Sequence, residues 1–389
     1  MSTARERLAL EFPDESPYNE ELWDFEIFWR DHYDWLKDRG YLLRPRYRPG
    51  WVASWIGTTK EAPRCEDNLV QPLFPLNLDA IRVADGKPVM LRRADPPSIS
   101  NELEIGRLLS SRESLSDHRN HCVPIYESIE LPNANEEGRR CIVVMPLLVP
   151  WEEVEFETVG EVVDFCGQVF EGLQFMHKMN VAHNDAKANN IMMGWSPLYP
   201  TPPHALRTSM RMDWKGPSKP RNRTLCPIKY HFIDWDLSKQ YDTRGVTLRM
   251  PGYGGDQSVP EFRRKEPCNP FAVDVYCLGN VIRQKFIEGD PILYDPPRRN
   301  VEFLQELVFD MTHDDPKKRP TMDEVVARFD KIRKGLSWWK LRSRVSDKTI
   351  PFIFHLLYSP IHWSIQLTYI LRRIPAVPNY TVHGEHSGA

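Results

Sequence analysis

The chain has 389 residues, of which 41% are hydrophobic, 27% charged and 11% aromatic, a balance that excludes a wholly disordered or fibrous protein and allows one large domain or two smaller lobes. A formal net charge of -3 removes the electrostatic case for a general nucleic-acid binder, because no excess of Lys and Arg is present to neutralise phosphates. Seven cysteines without any C-x-x-C spacing argue against a disulfide framework or a zinc cluster, and the charged opening MSTARERLALEFPDES lacks the apolar run of a secretory leader, so reduced thiols and an intracellular, cytoplasmic location are expected.

From Tyr18 to Gly40 the spacing predicts an aromatic-rich amphipathic helix, opened by Ser16 and Pro17 and stopped by Gly40. Its rings (Trp23, Phe25, Phe28, Trp29, Tyr33, Trp35) are expected to be packing surface and not a ligand box. Residues 41–75 are irregular and proline-spaced. Ala80 to Arg92 forms two β-like runs joined by Asp85-Gly86, a strong hairpin signal, and a helical stretch follows from Asn101 to Ser110. Cys141 to Met145 has the pattern of a short buried strand ended by Pro146, and Val159 to Met179 repeats its apolar residues at helical spacing. Between Trp195 and Ile228 lie seven prolines and six Lys or Arg, which predicts an irregular surface excursion. Its cations, Arg207, Arg211, Lys215, Lys219, Arg221 and Arg223, could recruit an acidic partner, although a solvated charged loop is the simpler reading. Helical character resumes from Phe271 to Lys331.

In the tail, Lys331, Arg333, Lys334, Lys340, Arg342, Arg344 and Lys348 precede Ile350 to Leu371, which contains no charged residue. Such a stretch could span or meet a membrane through 333–373, but Pro351, Pro360, His355, His362 and Gln366 dilute it, so packing on the domain is favoured. The expected organisation is an extension over 1–76, a central domain over 77–332 with an insertion at 195–228, and a basic then apolar tail over 333–389.

The chemistry concentrates in two short segments. In His183-Asn-Asp-Ala-Lys-Ala-Asn-Asn190, Asp185 supplies a proton acceptor, Lys187 a cation and Asn190 an oxygen ligand, which are the needs of phosphoryl transfer. In His231-Phe-Ile-Asp-Trp-Asp-Leu-Ser238, Asp234 ends an apolar strand, and with Asn190 it makes a plausible pair of oxygen ligands for Mg²⁺. Either segment alone is equally well read as a buried Asp capping a turn.

Together they resemble the eukaryotic protein kinases: H-N-D-A-K-A-N-N is similar to the catalytic loop H-R-D-x-K-x-x-N, and Asp234-Trp-Asp236 stands where D-F-G is expected. Val259-Pro-Glu261 resembles A-P-E, Asp274 to Gly279 resembles D-V-W-S-L-G, and Asp315 to Thr321 resembles D-P-x-x-R-P-T. Upstream, Val89-Met-Leu-Arg92 occupies the V-A-I-K strand, Glu104 is the candidate αC glutamate, and Met145-Pro-Leu147-Leu148 looks like gatekeeper and hinge. The match covers about residues 77–332, and D-W-D-L places fungal-type protein kinases nearest. The resemblance implies an α+β, bilobal kinase-like fold with a small β-rich lobe over 77–146 and a mainly helical lobe over 147–332, ATP and Mg²⁺ as cofactors, and a protein Ser/Thr hydroxyl as substrate. It further implies that Asp185 takes the hydroxyl proton, Lys187 steadies the γ-phosphate, and Arg92, Glu104, Met145 and Leu147 serve the nucleotide. Asn190 and Asp234 would hold Mg²⁺, Asp274 would buttress the catalytic loop, and Glu261 and Arg319 would form a structural ion pair.

Four departures stand out. No G-x-G-x-x-G precedes the hairpin, Arg92 replaces the strand lysine, Asp236 replaces the D-F-G glycine, and Asn184 replaces the H-R-D arginine. Asp236 could ligate a second Mg²⁺ or cap the following turn, and control through phosphorylation of Thr243 or Thr247 is not favoured without the arginine. An active Ser/Thr kinase is therefore the first reading, a pseudokinase scaffold the second, and a small-molecule phosphotransferase the third.

Overall fold

A computed structural model describes residues 20–95, 98–132, 140–242, 248–250 and 255–378. The protein is α+β, and the chain divides into two compact units.

The first unit takes the described parts of Met1–Pro96, Ile125–Leu147 and Thr201–Ser218. Its helices α1 (Asp24–Asp31) and α2 (Tyr33–Asp38) replace the single helix expected from Tyr18 to Gly40, because His32 leaves helical geometry and turns its ring back to the Phe28 carbonyl. Residues 16–19 of that expectation lie outside the described residues. Strands β1 (Tyr41–Leu43), β2 (Asn77–Arg82), β3 (Pro88–Ala94), β4 (Glu127–Glu130) and β5 (Cys141–Pro146) form an antiparallel sheet in the order β1-β2-β3-β5-β4. The Asp85-Gly86 hairpin is present, with Gly86 at φ 68, a left-handed turn position that suits a residue without a Cβ. Alternation along the strands sends Leu78, Ala80, Val89, Leu91, Ile142 and Val144 to one face, where Trp29, Tyr33 and Leu36 cover them. Of the extension's rings, Trp29 and Tyr33 are core and Phe28 and Trp35 pack against it, as their pattern predicts, while Trp23 and Phe25 are half-buried outside that cluster.

Residues 44–76 carry only three-residue helical turns, and buried ionic ties hold them in place of regular structure. Arg46 forks onto Glu26 at 2.7 Å with both side chains fully buried, and Arg44 Nε lies 3.2 Å from Asp79. To this segment Thr201–Ser218 of the insertion is fastened: His204 Nε2 reaches Glu66 at 3.3 Å, and Trp214 Nε1 donates to the Arg64 carbonyl.

The second unit holds the described parts of Pro97–Pro124, Leu148–Pro200 and Lys219–Ala389. Helices α3 (Ser98–Leu109) and α4 (Arg112–Ser116) open it. Strands β6 (Leu148–Pro150), β8 (Ile191–Gly194) and β9 (Tyr230–Phe232) make one antiparallel sheet, and β7 (Val181–Ala182) pairs with β10 (Lys239–Gln240) in another. The central helix α5 (Val159–Lys178) starts at a capping box: Thr158 Oγ1 accepts from the Glu161 amide, and Glu161 Oε2 accepts from the Thr158 and Glu157 amides. It is apolar nearly all round and buried along its length. Around it lie α6 (Pro260–Arg264), α7 (Pro270–Ile282), α8 (Gln305–Met311), α9 (Met322–Gly335) and α10 (Trp338–Arg342).

The insertion contains no helix or strand, as its prolines predict, but it is not a free surface excursion. Leu198, Tyr199, Cys226 and Ile228 are buried, and Arg223, one of its six cations, is 2% exposed. Arg223 donates to the Trp151 and Val154 carbonyls and to Tyr230 Oη, so its charge is spent on buried backbone and is not offered to an acidic partner.

The tail helix α11 (Phe352–Leu371) packs on the second unit, through its more polar side: Gln366 accepts from Arg342 Nη1 at 3.0 Å, and His362 donates to the Arg342 carbonyl at 2.7 Å. Among the described residues no helix is long and apolar enough to cross a membrane.

Candidate active site

The loop between β7 and β8 carries Asp185, Lys187 and Asn190, and the structure brings these three together. Asp185 Oδ2 accepts from Asn190 Nδ2 at 2.7 Å and lies 3.0 Å from Lys187 Nζ. Its other oxygen, Oδ1, is buried without a hydrogen-bond partner. Burial raises the Asp185 pKa from the ordinary carboxylate range, opposed by Lys187 and Asn190. The result is a carboxylate held by one oxygen, with the other buried and unpartnered, and with increased affinity for a proton.

A short helical turn, Ala188–Asn190, follows, closed by the Asn190 amide on the Lys187 carbonyl. With its Nδ2 committed to Asp185, Asn190 has its side-chain carbonyl left for a cation. Its backbone carbonyl accepts from the Ile233 amide at 3.0 Å, so Asn190 is hydrogen-bonded to the residue that precedes Asp234. An amide oxygen and a carboxylate are donors that suit Mg²⁺, which completes its sphere with water and phosphate oxygens. Asp236 is exposed. Among the described residues no group of three or more His, Cys, Asp or Glu is placed to hold a metal, so a site here would rest on Asn190 with few carboxylates.

Beneath the loop, Asp274 of α7 is fully buried and accepts from the His183 amide at 2.8 Å, the Asn184 amide at 2.6 Å and His177 Nε2 at 3.0 Å. This is the buttress its place in D-V-Y-C-L-G suggests. Asn184, named from sequence only as a departure, and Asn101, missed from sequence, tie the loops to each other. Asn184 donates to the Leu237 carbonyl at 2.9 Å, and Asn101 of α3 donates to the carbonyls of Trp235, Asp236 and Ser238 at 3.0, 3.1 and 2.6 Å. Asn101 carries no motif signal, since its partners are backbone atoms more than a hundred residues away.

On α3, Glu104 is exposed, and the buried carboxylate of that helix is Glu102. Arg92 and Met145 lie half-buried on β3 and β5 of the first unit, opposite Val143 and Met90 respectively, and Leu147 just beyond β5 is buried. Glu261 and Arg319 form the expected pair, two parallel bonds of 2.9 and 2.6 Å, with Arg319 also donating to the Ala272 and His313 carbonyls. Thr243 and Thr247 lie outside the described residues. No protein-family model matches the chain, and no curated protein matches its sequence.

Proposed function

We propose that the chain is a divergent member of the protein-kinase-like superfamily, with that family's bilobal fold, and that it transfers the γ-phosphoryl group of ATP to a protein Ser or Thr hydroxyl. The observation that carries the reading is Asp185, whose Oδ2 is fixed by Asn190 and Lys187 while Oδ1 is buried and unpartnered. In this role the substrate oxygen attacks the γ-phosphorus, the bond from that phosphorus to the β-phosphate oxygen breaks, and the hydroxyl proton passes to the Asp185 carboxylate. Lys187 lies beside the carboxylate to meet phosphate charge, and Asn190 and Asp234 would hold Mg²⁺, which neutralises charge developing on the phosphate oxygens. Arg92, Met145 and Leu147 are retained as nucleotide-side residues of this proposal. The order of an antiparallel sheet, a long buried helix and a loop buttressed by Asp274 supports the same family.

The test is transfer of labelled phosphate from Mg·ATP to generic protein acceptors by the wild-type chain and by Asp185→Asn, which keeps the size and removes the base. Loss of about 10²-fold or more in the variant is expected. Equal transfer by both proteins refutes the assignment.

A second reading, a pseudokinase scaffold, is favoured by one feature. The chain between β1 and β2 is the irregular segment 44–76 and not a glycine-rich turn that could lay backbone amides on phosphates. Absence of any ATP-dependent thermal shift would favour it. Transfer to small hydroxyl or amino-alcohol acceptors alone would favour a small-molecule phosphotransferase.

A further inference from the structure

Helix α11 is amphipathic in the inverted sense. Ser359, His362, Trp363, Gln366 and Tyr369 recur at helical spacing on the side that faces the protein, with Gln366 1% exposed. The opposite, wider side presents Ile353, Leu356, Leu357, Ile361, Leu367 and Leu371 to solvent, with exposures from 51% to 83%. A surface helix normally turns its apolar stripe inward, so an outward one marks an interaction surface; Ser364 and Thr368 also lie on this face, their hydroxyls donating to the Pro360 and Ile365 carbonyls. The helix is about 30 Å long at 1.5 Å per residue. Trp338 and Trp339 of α10 are also exposed, and the Trp339 ring lies 5.3 Å from that of Trp363.

Charge decides what covers this face. Between Lys331 and Pro378 there are nine Lys or Arg and one acidic residue, Asp347, in a chain whose formal net charge is -3; of the nine, Arg342 is buried, Arg333 pairs with Asp330 at 2.7 Å and Lys340 lies 3.9 Å from Glu302. Cations bracket the helix: Arg372 and Arg373 follow its last residue and are exposed, Lys348 precedes it, and the Arg344 guanidinium lies over the Tyr358 ring at 5.3 Å. Lys348 is partly offset by Glu302 at 3.4 Å. A second copy of the chain would bring two such clusters together and be repelled. Apolar side chains, interfacial tryptophans and flanking cations are together the complement of an anionic bilayer surface, with aliphatic groups among the acyl chains and cations at the headgroups.

We propose that α11 lies in the plane of an anionic membrane surface, seating its Ile353–Leu371 apolar face in the headgroup boundary and holding the protein there without spanning the bilayer. The test is co-sedimentation of the full chain with vesicles of phosphatidylcholine containing about one-third phosphatidylserine, against vesicles of phosphatidylcholine alone. The wild type is expected to pellet with the anionic vesicles at about 0.1 M salt and to bind far more weakly at about 1 M. The variant L357E/I361E, altered only at exposed positions, should keep the wild-type melting temperature and lose binding by roughly tenfold or more per side chain. R372E/R373E should lose roughly fivefold per cation on anionic vesicles. A wild type that stays in the supernatant with anionic vesicles overturns the proposal, as does L357E/I361E pelleting like wild type. Self-association in light scattering without vesicles, abolished by L357E/I361E, would assign the face to a second copy and overturns it equally.

Discussion

Replacing Glu261 by Ala tests how the second unit is held around its candidate active site. The carboxylate makes two bonds to Arg319, at 2.9 and 2.6 Å, and both side chains are all but excluded from solvent. Two hydrogen bonds to a charged group are worth about 1.5–3 kcal/mol each, and breaking one side of a buried pair costs about 3–5 kcal/mol because the remaining charge stays uncompensated. Arg319 would keep the Ala272 and His313 carbonyls and the Tyr276 ring, 4.9 Å from its guanidinium, so the low end applies, about 3 kcal/mol. On a unit of roughly 250 residues that corresponds to a fall of about 6 °C in the unfolding midpoint. Thermal and urea denaturation followed by circular dichroism measure it. The double variant Glu261→Met/Arg319→Met should recover much of the loss, since it leaves no buried charge. A single-variant loss below about 1 kcal/mol, or a double variant as unstable as the sum of the singles, would refute the view that uncompensated charge sets the cost.

Asp164 of α5 gives a pH prediction. Burial pushes its carboxyl up to about 7, with a hydrogen bond from Gln168 acting the other way. Because the folded value lies above the ordinary carboxyl value near 3.9, folding favours the protonated form: its contribution is complete below about pH 4 and is lost as pH rises to about 7. Asp164→Asn should therefore be more stable than wild type at pH 8, by up to about 4 kcal/mol, and equal to it near pH 4; no gain at pH 8 would sink the assignment. At Gly160 an added Cβ would lie 1.9 Å from the Ala376 carbonyl oxygen, so Gly160→Ala should displace the segment after α11, cost about 1–3 kcal/mol, and speed proteolysis near residue 376. Unchanged proteolysis would show that the tail yields freely. Asn101→Ala removes the donor to three carbonyls of the Trp235–Ser238 turn, and should cost about 1–3 kcal/mol and reduce phosphoryl transfer; full transfer would mean the turn holds its shape unaided.

Much of the architecture was legible because it follows from periodicity and turn chemistry. Asp85-Gly86 gave its hairpin, and the spacing from Val159 to Met179 gave a helix that the structure ends one residue earlier, at Lys178. Asp185, Lys187 and Asn190 were legible as a group because they lie within six positions of one loop. The less legible parts depend on residues distant in sequence. Arg223 reads as a solvated cation until the Trp151 and Val154 carbonyls are seen around it. Glu104 and Glu102 differ by two positions on a helix, a rotation of about 200°, and pattern alone did not separate the exposed one from the buried one. Packing of the tail on the domain was legible from the polar residues that dilute it, but not which side faces inward, since that is set by Arg342 of another helix.

The two substitutions that depart from the kinase pattern in these loops are accommodated by backbone geometry. The residue of the D-W-D turn that adopts the left-handed region is Asp234, at φ 71, and not Asp236, so the position that lacks glycine makes no demand for one. Asp and Asn are the non-glycine residues that enter this region most readily, and Asn184, at φ 63, is the other case. Both conformations are held by hydrogen bonds: Asp274 fixes the Asn184 amide, Asn184 fixes the Leu237 carbonyl, and Asn101 fixes the carbonyls on either side of Leu237. An arginine at 184 would lack the short amide that reaches Leu237 from a site 1% exposed. Asparagine there replaces the arginine of the resembled motif with a direct tie between the loop of Asp185 and the turn of Asp234.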